Sequence, residues 1–301
     1  MRGTAVSSDR RSAPQPRRSG PGRGSRPGVP GPLGILHPFP SLLDGLATGL
    51  IALVAGGAFP SALMAGIAMT LIQTSIGATN DLCDVEHDRV ARPRKVLASG
   101  LITPRLVATY AVLAAVAGLA IALRLGSLAV TLAAAGLAVG LVYDVWLNRT
   151  RWSWVPYAVG LPLLAAFAWS AARGTLPPGM PALMVLGAVA GAALSIGNGL
   201  VDLDDDAAAG RGGLAFRLGA ARAWGVLLVL YAILLAVAAV DVVASAPGRL
   251  AVATLSLGAV AVAAGAFASR SGTPPVRERA WEVQGIGVVL VALAWLVTSA
   301  R

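Results

Sequence analysis

Asn80–Asp88 reads NDLCDVEHD and closes a long apolar run; Arg92, Arg94 and Lys95 follow within a few residues. Asn80, Asp84 and Asp88 stand at i, i+4 and i+8, so on a helix they share one face, with Asp81 at its edge. The spacing recurs at Asn198, Asp202 and Asp206, with Asp204 and Asp205 between them, again at the end of an apolar run. Of the 14 acidic residues in the chain, eight lie in these two segments: Asp81, Asp84, Glu86, Asp88, Asp202, Asp204, Asp205 and Asp206. A chain this poor in carboxylates has gathered them in two places, and the gathering requires a cause.

The surroundings of the two segments set the fold class. Over 301 residues the chain is 56% hydrophobic and 13% charged, with mean hydropathy +0.73. Soluble domains carry roughly 25% charged residues. Uncharged stretches rich in Ala, Leu, Val and Gly recur from Pro40 onward, which reads as an all-α, polytopic membrane protein. The runs are continuous rather than alternating, which excludes a membrane barrel. One cysteine, Cys83, permits no internal disulfide.

Nine membrane helices are expected, at about 41–59, 61–80, 105–123, 127–146, 153–172, 181–201, 222–244, 249–268 and 281–299, most of them near the ~20 residues that cross ~30 Å of hydrocarbon. The basic residues test this topology. Thirteen of them, including Arg89, Arg92, Arg94, Lys95, Arg149, Arg151, Arg217 and Arg277, fall in loops on one side; only Arg124, Arg173, Arg249 and Arg301 fall on the other. By the positive-inside rule the first side is cytoplasmic. A multi-pass protein of the cytoplasmic membrane is expected, its N-terminus inside and its C-terminus outside. Both acidic segments land on the inner side, which the charge count did not assume. The net charge of +10 is therefore read as topology, and no nucleic-acid partner is expected. Residues 1–34, with seven arginines and little apolar content, are expected to form a disordered basic tail, distinct from a membrane domain at 35–301. They are not read as a signal peptide, because no apolar stretch follows their charges closely.

One reading of the acidic segments is a solvated helix end. Against it, a helix C-terminus disfavours carboxylates by roughly 0.3–1 kcal/mol each, and four acids in nine residues repel one another. A compensating cation answers both objections. Oxygen ligands without His or Cys partners favour Mg²⁺, which commonly takes one or two carboxylates, waters and substrate phosphates. Two such segments facing one cavity could hold a diphosphate, with the nearby basic residues neutralising its remaining charge.

NDLCDVEHDRVARPRKVLASG (80–100) resembles the first aspartate-rich motif of the UbiA superfamily of intramembrane prenyltransferases, N-D-x-x-D-x-x-x-D followed by a basic, Pro-containing loop ending in Ser-Gly. DLDDDAAAGRGGLAFRLG (202–219) is similar to its second motif, and Tyr143 with Asn148–Arg149–Thr150 to its third polar segment. Asn148 stands where many members carry a lysine, and His37–Pro38 where Arg-Pro is often seen. The resemblance implies a bundle of about nine helices around a central cavity open to the cytoplasm. It also implies Mg²⁺-dependent transfer of a prenyl group from a prenyl diphosphate to an aromatic or other lipophilic acceptor within the lipid bilayer. Carried over by position, Asn80, Asp81, Asp84, Asp88, Asn198, Asp202 and Asp206 would hold metal, the five aspartates acting in catalysis. Arg94, Lys95, Tyr143 and Arg149 would bind substrate. A terpene cyclase on the same scaffold and a cation or phosphate transporter are the competing functions. Release of diphosphate without a co-substrate would mark the first, and uptake without diphosphate release the second.

Other residues are set aside. Cys83 and His87, at i and i+4, lack further partners for zinc. Asp44 is read as a helix-start carboxylate, and Asp144 as either a site residue or a solvated end. Trp146, Trp152, Trp154 and Trp281 are read as an interfacial belt, and Asp241 and Arg249 as ends on the outer face.

Overall fold

The structure is a computed structural model that describes residues 38–299 apart from Arg94, Pro178, Arg211 and Ser271. The basic tail, His37 and Arg94 therefore lie outside the described residues. The chain is helical throughout, with no strand among those residues. The nine expected helices all form: α1 (Pro38–Val54), α2 (Phe59–Ala91), α3 (Pro104–Arg124), α4 (Ser127–Val142), α5 (Val155–Arg173), α6 (Met180–Val201), α9 (Ala220–Ala244), α10 (Arg249–Ala268) and α11 (Pro274–Ser299). Two short helices, α7 (Leu203–Ala209) and α8 (Leu214–Leu218), follow α6, and a π-helical turn at Tyr143–Leu147 follows α4. Eight of the nine are long and apolar enough to cross a membrane; α1, with 17 residues, is shorter. The protein is thus a polytopic helical membrane protein.

α1, α2, α5, α6 and α11 form an inner group, with α1 against α2, α5 and α11, and α6 against α5 and α11; α3, α4, α9 and α10 flank it. The difference shows in burial: 61% of the apolar window of α5 is enclosed by protein, against 22% of that of α4. The remainder of the outer helices presents Leu, Val and Ile to their surroundings, as at Leu113, Val116, Val229 and Val260. In lipid such faces gain nothing by burial, and helices associate instead through close backbone approach and polar links. Both are present. A Cβ on Gly258 of α10 would sit 2.9 Å from the carbonyl oxygen of Gly287 on α11, and the converse distance is also 2.9 Å. The fully buried Gln284 of α11 accepts from the Tyr231 hydroxyl of α9 at 3.0 Å.

Several local expectations are corrected. α2 does not stop near residue 80 but runs on to Ala91, because Leu82 and Val85 pack against a small apolar cluster of Ala78, Leu97, Val107 and Ala111. That cluster also fastens the loop after α2, through Leu97, to the start of α3. α11 starts at Pro274 rather than near 281, two prolines suiting its first turn. Asp44 is not a helix-start carboxylate: it lies within α1 and accepts from Gln73 of α2 at 2.6 Å. Trp281 leaves the expected belt to donate to the Leu194 carbonyl at 3.0 Å. Asp241 is no free outer end, since it accepts from Trp295 Nε1 at 2.9 Å.

Candidate active site

The uninterrupted α2 carries the first acidic segment as a rigid edge. Asp81 and Asp88 are buried and share one cation: Lys95 Nζ lies 2.8 Å from Asp81 Oδ1 and 2.8 Å from Asp88 Oδ2. Lys95 reaches back because the loop that bears it is held over α2 by Leu97. Burial works against its charge, but Asp81 and Asp88 outweigh that effect and raise its pKa. Asp84 faces a different partner, accepting from Arg149 Nη2 at 2.6 Å. Asn80 donates to Asp144 Oδ1 at 3.2 Å.

The second segment is built differently. α6 ends at Val201 and Asp202 occupies the break before α7. The backbone bonds nonetheless carry on through the break, from the Asp202 N–H to the Asn198 carbonyl at 3.3 Å and from the Asp206 N–H to the Asp202 carbonyl at 2.9 Å, so Asn198, Asp202 and Asp206 still face one pocket. Asp204, Asp205 and Asp206 stand in the first turn of α7, where the helix dipole favours negative charge. The expected dipole penalty thus spares these three, and falls on Asp88 in the last turn of α2 and on Asp202 at the end of α6. α7 closes on Gly210, whose φ of 64° is a left-handed conformation that favours glycine. Gly212 then lies against the Asp206 carboxylate so closely that any side chain there would collide. Ser153 secures the return: its hydroxyl accepts from the Leu214 N–H at 3.0 Å.

The two segments meet. Arg92, on the loop after α2, donates to Asp205 Oδ2 from Nη2 at 2.9 Å and from Nε at 3.1 Å, and pairs with Asp202, 110 residues away in the chain. Asp202 is the main cause of the raised Arg92 pKa. A pocket of about 60 Å³ opens at this junction, lined by Asp84, Asp88, Arg92, Tyr143, Asn148, Arg149, Asn198, Asp202, Asp205 and Asp206. Burial pushes the Asp206 carboxyl up to about 6, with Asp202 adding to the rise and Arg149, the Gly213 N–H and Arg92 opposing it. Tyr143, in the π-helical turn, stacks edge-on against Tyr157 with ring centres 5.5 Å apart.

Of the expected site residues, Asp84, Asp88, Tyr143, Arg149, Asn198, Asp202 and Asp206 line this one pocket. Asn80, Asp81 and Lys95 do not line it; they lie beside it, held by Asp144 and by one another. Cys83 and His87 do not face a common point: Cys83 borders a neighbouring cavity and His87 the main pocket. Sequence reasoning counted Arg92 only among the nearby basic residues, and assigned no individual role to Asp205 or Tyr157. Arg277, which anchors α7 to α11 by pairing with Asp204, was likewise read only as a loop charge. No pattern in the sequence signals pairings between residues so far apart.

Among the described residues, no three of His, Cys, Asp and Glu converge as a ready-made metal cage. The donor set is nevertheless one a hard divalent cation accepts with water and phosphate completing its shell: carboxylate and amide oxygens without a thiolate or imidazole among them. Asp144 Oδ2, buried and without a hydrogen-bond partner, fits the same chemistry.

Comparison with known proteins places this arrangement in a family. The family model described as the UbiA prenyltransferase family matches residues 45–297. Among solved structures, the apo structure of a UbiA homolog from Aeropyrum pernix K1 is similar with TM-score 0.67 and 18% identity, over 84% of this chain and 96% of that one. A UbiA homolog from Archaeoglobus fulgidus bound to GPP and Mg²⁺ gives TM-score 0.64 and 17% identity, over 89% and 99%. A structure of digeranylgeranylglyceryl phosphate synthase gives TM-score 0.65 and 14% identity, over 88% and 96%. No protein of curated function matches the chain in sequence. With the family model covering most of its length and the fold shared by these structures, the chain belongs to the UbiA prenyltransferase family.

Proposed function

We propose that this protein transfers a prenyl group from a prenyl diphosphate to a lipophilic acceptor, aromatic or otherwise, inside the membrane. The observation that carries the reading is the meeting of the two acidic segments at one pocket, tied by Arg92 to Asp202 and Asp205. An Archaeoglobus fulgidus homolog of the same fold, bound to GPP and Mg²⁺, supports it.

Asn80, Asp81, Asp84, Asp88, Asn198, Asp202 and Asp206 would hold Mg²⁺, which when bound neutralises charge on the diphosphate leaving group. Lys95 and Arg149, each now bonded to a carboxylate, are the cations available to the phosphate oxygens, joined by Arg92 and by Arg94. Tyr143 lines the pocket with aromatic surface and is backed by Tyr157. The apolar bundle below them keeps water from an electron-deficient allylic carbon, and the lipid-facing walls accommodate the isoprenoid tail. The pocket and both acidic segments are assigned to the cytoplasmic face by the loop charges.

The test is Mg²⁺-dependent diphosphate release by the purified protein, supplied with geranyl diphosphate and a membrane lipid extract, with products read by mass spectrometry. A prenylated acceptor is the expected product. Cyclised isoprenoid alone would mark a terpene cyclase, and no diphosphate release at all would overturn the reading.

A further inference from the structure

Asp144 is an acidic side chain that belongs to neither acidic segment. It is 6% exposed and lies in the π-helical turn Tyr143–Leu147, which packs against α2. Its Oδ1 accepts from Asn80, while its Oδ2 is buried and has no partner. An unmatched buried polar atom costs roughly 1–3 kcal/mol and more when charged, so such an oxygen calls for a ligand. Asp144 borders a cavity that a rotation of its carboxyl would open to this oxygen. A cavity of about 140 Å³ is lined by Asp144, Asp84, Asn148 and Arg149, room for an ion and several waters. Arg149 binds Asp84 through Oδ1. Asn80, donating through its nitrogen, leaves its own carbonyl oxygen available.

We propose that Asp144 and Asp84 together bind a divalent cation in this cavity, making Asp144 a metal-ligating carboxylate outside both acidic segments. The inference rests on the proposed function, since the ion's remaining ligands would be water and diphosphate. The competing role for Asp144 is structural, tying α2 to the π-helical turn through Asn80.

The full chain in detergent is titrated with Mn²⁺ in the presence of inorganic diphosphate, and free Mn²⁺ is read by electron paramagnetic resonance. Asp144→Asn keeps an oxygen for the Asn80 bond but removes the charge. It is expected to weaken Mn²⁺ binding about tenfold or more, with Asp144→Glu restoring most of the affinity. Equal affinity in wild type and Asp144→Asn would overturn the inference while leaving the proposed function standing. Absence of Mn²⁺ binding to the wild type would overturn both. Should Asp144→Asn fail to fold, Asp144→Cys in a Cys83→Ser background serves: a thiolate ligand should tighten Cd²⁺ binding about tenfold over Cys83→Ser alone, and unchanged Cd²⁺ affinity would overturn the inference.

Discussion

The two acidic segments share their spacing but not their backbone. Asn80–Asp88 lies on an unbroken helix, with Asp81 and Asp88 buried beneath Lys95. Asn198–Asp206 is interrupted at Asp202 and continues in a short helix whose acids stand more exposed, Asp204 at 63% of its side chain. The reason is in the residues between the carboxylates. Leu82 and Val85 give α2 apolar contacts that keep it helical to Ala91, whereas three successive aspartates cannot share a face and fit best in a new first turn. One segment is a fixed shelf and the other a flap pinned by Arg92 and Arg277. Equal spacing in a sequence thus does not guarantee equal mechanical roles.

If both halves are needed for one ligand, Asp84→Asn on the shelf and Asp202→Asn on the flap should each reduce Mg²⁺-dependent diphosphate release at least about a hundredfold, with unchanged elution in gel filtration. Near-wild-type turnover in Asp202→Asn alone would make the flap dispensable and break the symmetry of function. The shelf should carry the larger share of stability. Lys95→Met strands two buried carboxylates, and loss of such a pairing costs about 3–5 kcal/mol; a thermal unfolding midpoint within a degree of wild type would contradict this. Arg92→Gln removes a half-exposed pairing worth about 1 kcal/mol or less. It should leave the unfolding midpoint nearly unchanged while quickening proteolysis within 203–213. Uniform proteolysis of the two proteins would show that Arg92 does not pin the flap. Removal of residues 1–30 leaves both segments in the chain, and turnover should stay within about twofold of wild type.

Hydropathy alone located every long helix, because twenty apolar residues in a row have few alternatives in a membrane. It missed the end of α2, since hydropathy falls at Asn80 although the helix continues on side contacts from a loop that follows it. The members of the pocket could be read from local spacing and from likeness to known motifs. Their partners could not. Arg92 reaches Asp202 and Asp205 across the four helices α3 to α6 that separate them in the chain, and Asp44 finds Gln73 only where α1 crosses α2. Asp144 was ambiguous in sequence because position beside a membrane boundary fits both solvent and a buried site; its burial is settled by the wider turn that holds it.

That turn, Tyr143–Leu147, closes with the Asn148 N–H donating to the Tyr143 carbonyl at 2.8 Å, one residue more per loop than an α-helix allows. It behaves as a phase adjuster between the membrane rod before it and the polar strip after it. Deleting one residue there would restore ordinary winding and leave Asn148 and Arg149 nearly in place, whereas rewinding the same residues as α-helix would swing both by about 100° relative to α4. A one-residue deletion should therefore be better tolerated in this pentad than a one-residue insertion, which would add to a turn already wider than an α-helix.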